Sequence, residues 1–227
     1  MLTAIIFIIG GYILGSIPFA IVIGKGIYHV DVRESGSGNI GTTNVFRVIG
    51  KKAGILVYIC DTCKGFLPVF LAARLTGGGS AALVAVLTAG AAIAGHTWPV
   101  WLRGKGGKGV AVGGGSIIAL MPVLFVVAFA IFWVVLVAGR MVSVASVAAA
   151  VGFGAAALIT GQPMAYIVFA LLVTAVVIYA HRANFKRLRR GSENRVTFPW
   201  NKKAAGTDGG PGGKDRTAGG GKGELAG

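Results

Sequence analysis

Long uncharged apolar runs alternate with short basic loops along most of this chain. Residues 2–23, 110–139, 141–160 and 164–180 carry no charged side chain, and 80–102 carries only His96. Residues 53–73 are apolar except for Asp61 and Lys64. Roughly 20 apolar residues suffice for a bilayer crossing, so each run predicts a membrane helix. The run 110–139 would extend about 45 Å as one straight helix, longer than a bilayer core requires. It contains Gly113–Gly115 and Pro122, so it is predicted to split near Met121–Pro122. The pattern predicts an all-α integral membrane protein of about seven helical segments. One unbroken 110–139 helix, with a later run lying in the interface, would give five crossings instead.

Composition agrees. The chain is 55% hydrophobic and 13% charged, with a mean hydropathy of +0.77; soluble domains carry about 25% charged residues. Residues 2–23 read as a permanent helix rather than a cleavable signal, because no basic segment precedes them and the run is too long. The net charge of +15 is chiefly a topology signal. Of 22 Lys and Arg residues, 19 fall in loops 25–52 and 103–108 or from Arg182 onward. Loop basicity marks the cytoplasmic side, so the N-terminus is expected outside and the C-terminus inside. Basic residues abutting membrane segments favour anionic headgroups over nucleic acid. Residues 1–203 are read as one membrane domain. Residues 204–227 hold ten Gly among 24 and read as a disordered, dispensable cytoplasmic tail.

Two glycine-rich stretches carry the candidate chemistry: SGSGNIGTTNVFR at 35–47 and GKGGKGV at 104–110. Glycine loops expose backbone N–H groups, and a following helix adds its positive dipole end. Arg47, Lys105 and Lys108 add full charges, and each loop is expected to lead into a long apolar segment. The second is not a nucleotide-binding P-loop, since Gly109 follows Lys108 where Ser or Thr is needed. A third cluster is His181-Arg-Ala-Asn184 with Lys186, Arg187, Arg189 and Arg190. On a continuing helix His181 and Asn184 share a face. The seven acidic residues form no metal-ligand pattern, so neither metal nor cofactor is expected. Cys60 and Cys63 read as two buried thiols on one helix face. His96 reads as an interfacial histidine, and Asp61 with Lys64 as an intramembrane ion pair.

The stretches 35–47, 95–110 (GHTWPVWLRGKGGKGV) and 181–193 (HRANFKRLRRGSE) resemble three signature motifs of the bacterial acyl-phosphate:glycerol-3-phosphate acyltransferases. GSIPFA (15–20) and the segment Asp61–Gly65 are similar to that family too. The resemblance implies an enzyme of the bacterial inner membrane whose site faces the cytoplasm. It would transfer a fatty acyl group from acyl phosphate to the 1-hydroxyl of glycerol 3-phosphate, giving lysophosphatidate and phosphate. It implies catalytic roles for Lys108, His181 and Ser37. Gly38, Asn39, Thr43, Asn44, Arg47, Gly106, Gly107, Gly109, Ser143, Ser146 and Asn184 would contact substrate beside them. No nucleic acid and no obligatory protein partner is implied. His29 and Glu34 mimic the His-x4-acid spacing of soluble glycerolipid acyltransferases, but the rest of that motif set is absent. The acyl phosphate's own phosphate is therefore expected to accept the hydroxyl proton, with His181 and Asn184 orienting substrate. The alternative is a transporter or channel for a phosphorylated solute, since glycine-broken helices also build such sites.

Overall fold

Helices account for every regular element among the described residues, 1–198, of this computed structural model. In chain order they are α1 (Leu2–Ser16), α2 (Phe19–Tyr28), α3 (Thr42–Val48), α4 (Lys51–Leu75), α5 (Ala81–Thr97), α6 (Val110–Leu120), α7 (Pro122–Gly139), α8 (Val142–Ile159), α9 (Met164–Ala180) and α10 (Arg182–Arg189). A 3-10 turn at Val100–Leu102 follows α5. Residues Met1–Arg195 form one unit, and the predicted 204–227 tail lies outside the described residues.

By length and composition four helical stretches can cross a bilayer: α4, α5 with its 3-10 turn, α7 and α8. The bent pairs α1–α2 and α9–α10 raise that number to six. The molecule is a multi-pass integral membrane protein. The 110–139 run divides at Met121–Pro122, as its sequence predicts. Pro122 occupies the first position of α7, where its missing N–H costs nothing. Residues 2–23 are not the single helix expected. Pro18 interrupts them, and α1 and α2 meet at 42°. SGSGN does not lead into a membrane span either; it enters the seven-residue α3. Cys63 is exposed rather than buried, and Cys60 is intermediate.

Helices that share an apolar solvent gain little from burial against each other, so close packing must hold them. α1 lies along α5, α6 along α4, α7 along α8, and α8 along α9. Glycines bring two of these pairs to backbone contact. A Cβ on Gly15 would sit 2.2 Å from the Ala92 carbonyl oxygen, and one on Gly115 would sit 2.0 Å from that of Thr62. The outer faces stay apolar: Val123, Val126 and Val134 of α7 are 63–72% exposed, a surface suited to lipid chains. One end of this bundle carries the two glycine loops and α10.

Candidate active site

The first loop, between α2 and α3, is folded around one buried amide. Asn44 Oδ1 accepts the Ser37 N–H at 2.8 Å. Its Nδ2 donates to the carbonyls of Val32 at 2.8 Å and Ser35 at 3.2 Å. Gly36 takes φ +65°, where a Cβ would fall 2.4 Å from Asn44 Oδ1; only glycine fits. Asn39 Oδ1 accepts the Gly41 N–H at 2.8 Å. Asn44 therefore shapes the loop rather than meeting substrate, which corrects the expectation for that residue. Ser37 and Asn39 are turned to a cavity.

The second loop leaves the 3-10 turn and folds back on α5. The Gly106 N–H donates to the Thr97 carbonyl at 3.1 Å, and the Gly107 N–H to the His96 carbonyl at 3.0 Å. Gly109, at φ +75°, precedes the first turn of α6. Between these glycines Lys108 projects to Asn184, donating a hydrogen bond from Nζ to Oδ1. Burial lowers the Lys108 pKa to about 8, helped by Arg187 and Arg47 and opposed by Glu193.

His181 ends α9, where the chain bends by 50° into α10. The chain does not run on as one straight helix across this point, yet both residues come inward: His181 is 2% and Asn184 6% exposed. His181 Nδ1 lies 2.7 Å from the Val177 carbonyl. A carbonyl only accepts, so Nδ1 carries the proton and Nε2 is left as the acceptor. Burial, and next the charge of Lys108, lower its pKa to about 4.

Glu193 joins these parts and was not singled out from sequence. Its Oε1 accepts Ser143 Oγ at 2.8 Å and Asn184 Nδ2 at 2.7 Å, and its Oε2 accepts Arg187 Nε at 2.9 Å. Burial opposes its ionisation, but hydrogen bonds from Asn184, Ser143 and Arg187 outweigh this and hold the carboxyl below its ordinary range. Its sequence signal is its place as the one carboxylate closing the basic stretch 181–193.

The three segments enclose a polar cavity of about 370 Å³, lined by Ser37, Asn39, Thr97, Trp98, Gly104–Lys108, Tyr179, Ala180, Arg182, Ala183, Asn184 and Arg187. Beside it an apolar cleft of about 140 Å³ runs from Gly109 among α6, α7, α8 and α9, to Phe125, Phe153 and Val177. Of the predicted residues, Ser37, Asn39, Gly106, Gly107, Lys108 and Asn184 line the cavity, while Gly109 and Ser146 line the cleft. His181 and Ser143 stand behind the wall. Gly38, Thr43 and Arg47 are exposed and outside the lining, although Arg47 is close enough to act on Lys108. His29 and Glu34 are exposed and also outside it. The side chains of Lys105, Lys108, Arg182 and Arg187 bring positive charge to one space that Ser37, Asn39 and Asn184 also line, an arrangement suited to an anion.

Known proteins resemble this chain in sequence and in fold. The family model described as glycerol-3-phosphate acyltransferase matches residues 5–191. A glycerol-3-phosphate acyltransferase of Rubrobacter xylanophilus is 45% identical over 84% of this chain and 94% of its own. One of Desulforamulus reducens is 40% identical over 86% and 96%. Among solved structures, the glycerol 3-phosphate form of PlsY, an integral membrane glycerol 3-phosphate acyltransferase, superposes with a TM-score of 0.82. It shares 37% identity over 90% of this chain and 99% of its own. The lysophosphatidic acid form of PlsY gives a TM-score of 0.79 at 38% identity, over 86% and 95%. Matched by the family model along most of its length, and similar to these proteins in sequence and fold, the chain belongs to the glycerol-3-phosphate acyltransferase family.

Proposed function

We propose that this protein transfers a fatty acyl group from acyl phosphate to the 1-hydroxyl of glycerol 3-phosphate, releasing lysophosphatidate and inorganic phosphate. One observation carries the reading: a polar, cation-bearing cavity adjoins an apolar cleft at Lys108–Gly109. That pairing fits a molecule with a phosphate head and a hydrocarbon tail. The tail lies in the cleft, and the glycine loops with Lys108 hold phosphate. Arg47 engages the phosphate of glycerol 3-phosphate, for which a guanidinium offers a bidentate grip.

Acyl phosphate is a mixed anhydride with a good leaving group, so the reaction needs charge stabilisation and alignment more than acid catalysis. The glycerol 1-oxygen bonds to the acyl carbon. The bond from that carbon to the phosphate oxygen breaks, and the phosphate departs with both electrons. Lys108, with the other cations lining the cavity, stabilises the charge that gathers on the carbonyl and leaving oxygens. The hydroxyl proton passes to a phosphate oxygen, which titrates near pH 6. His181 and Asn184 orient substrate. No step calls on a metal, a cofactor or a partner protein. The basic loops that build the cavity support a site facing the cytoplasm, in the bacterial inner membrane, with the N-terminus outside. Residues 1–203 act as the catalytic body and 204–227 as a dispensable tail.

Donor choice tests this reading. Purified protein supplied with glycerol 3-phosphate should consume acyl phosphate and leave acyl thioesters untouched. Turnover with thioesters alone would contradict it.

The Lys108 pKa sets an expected pH profile. Its charged form prevails below about pH 8 and is lost above, so kcat/KM should fall as pH rises through that value. Lys108→Arg stays charged and should move the descending limb upward by more than one pH unit, whatever its absolute rate. A limb that stays in place assigns the titration elsewhere.

His181 gives a second expectation. If phosphate is the base, His181→Gln, which hydrogen-bonds but does not titrate, should retain kcat within about tenfold, while His181→Ala loses more. A side-chain base is worth about 10²–10⁴-fold. A kcat loss of about 10³-fold in His181→Gln at unchanged KM would make His181 the base.

A further inference from the structure

Outside the cavity wall, α4 buries an ion pair inside the helix bundle. Lys64 Nζ lies 2.8 Å from Asp61 Oδ1, and both side chains are 2% exposed. The ammonium meets that oxygen away from the hydrogen-bonding direction, so the pairing is electrostatic. Such a pair is weak evidence for stability, because desolvating two charges offsets their attraction. Its contacts with other elements are more informative.

Lys64 Nζ donates to the Ile17 carbonyl at 2.7 Å, at the break between α1 and α2. The same ammonium lies 5.5 Å from the ring centroid of Phe19, the first residue of α2. α2 leads directly into the SGSGN loop. On the other side, Asp61 Oδ1 stands 3.9 Å from His96 Nδ1. The His96 carbonyl accepts the Gly107 N–H, and its ring lies against Gly107 so closely that a Cβ there would fall 2.1 Å from Nε2. Gly107 adjoins Lys108 in the second loop. One buried pair thus touches the supports of both loops.

We propose that Asp61 and Lys64 are positioning residues: acting through the Ile17–Phe19 break and through His96, they set the two glycine loops at the spacing that holds a phosphate. The inference rests on the acyltransfer reading above. The ammonium fixes where α2 departs from α1. The carboxylate keeps the His96 edge against Gly107, and so keeps Lys108 facing Ser37 and Asn39. Misplacing reacting groups by about 1 Å can cost about 10²-fold, so modest loop slippage should register in substrate binding.

The test is the double variant Asp61→Asn/Lys64→Met, which removes both charges together and leaves neither unpaired. Gel filtration and thermal unfolding report its fold, and KM for glycerol 3-phosphate and kcat per folded enzyme are measured beside wild type. Loop misplacement predicts a KM rise of about tenfold or more in folded protein. A purely structural role would lower the unfolding temperature and leave KM unchanged, which would overturn the proposal. If the double variant does not fold, Lys64→Arg carries the same test, since it keeps the ion pair but alters the reach to Ile17. A KM shift of about threefold or more is then expected, and a wild-type KM would overturn it. Calorimetric binding of glycerol 3-phosphate reads the same loss without turnover. Wild type that binds glycerol 3-phosphate but forms no lysophosphatidate would therefore count against the acyltransfer reading and not against this one.

Discussion

Lys108→Ala is expected to lower kcat by about 10²–10³-fold, the usual loss when one donor to a developing oxyanion is removed. The structure concentrates several effects on this residue. It lines the polar cavity, and the next residue, Gly109, lines the apolar cleft. It is bonded to Asn184, so it arrives pre-oriented. Burial has already lowered its pKa to about 8, and in such partly desolvated surroundings an added anion interacts more strongly than in water. Arg47 offers the contrast. It is exposed on α3, outside the cavity lining but close enough to act on Lys108. Since Arg47 is the proposed bidentate grip on one phosphate, Arg47→Lys should raise KM for glycerol 3-phosphate while kcat and the acyl phosphate KM change little. Steady-state kinetics on both variants with both substrates separates the roles. Equal effects of each change on each substrate would refute the division of labour.

Glu193→Ala should lose about 10²-fold or more in kcat/KM and also lower thermal stability. The carboxylate collects Ser143 of α8 with Asn184 and Arg187 of α10. Removing it strands the buried Asn184 amide and the Ser143 hydroxyl, at about 1–3 kcal/mol for a buried unsatisfied group. Freed of Glu193, the Asn184 side chain can rotate and take the Lys108 contact with it. Glu193→Gln should be milder. It can still accept from Ser143 and Asn184 through one oxygen, but its amide NH2 then faces the Arg187 N–H, donor against donor. The expected order is wild type, then Gln, then Ala, in both unfolding temperature and kcat/KM. Wild-type kinetics in Glu193→Ala would remove Glu193 from the account.

How much of this was legible in the sequence depended on range. The 110–139 break was readable because Pro122 falls beside an over-long run. Pro18 gave no such warning, since its run has an ordinary length. Pro68 lies within α4 and leaves it helical, so proline alone does not decide. At the α1–α2 break the Ile17 carbonyl accepts from Lys64, 47 residues away in sequence, which no local pattern encodes. Lys108 and Asn184 were both nominated from their own motifs, but their bond to each other needed the fold. Asn44 looked like a ligand because Asn is polar and loop-adjacent, whereas the loop consumes both ends of its amide. Glu193 was hidden by its surroundings: after five Lys and Arg residues from Arg182 to Arg190 it reads as the end of a membrane anchor. The chain turns back at Gly191, φ +68°, and that reversal lets Glu193 bond Asn184, Arg187 and Ser143.

The central claim is acyl transfer between two phosphate-bearing substrates held at one cavity. Incubating the purified protein in detergent with acyl phosphate and glycerol 3-phosphate, and quantifying lysophosphatidate and inorganic phosphate, tests it most directly. The account predicts both products in equal amounts with no sealed compartment present. No lysophosphatidate in detergent, together with uptake of a phosphorylated solute into sealed proteoliposomes, would contradict it.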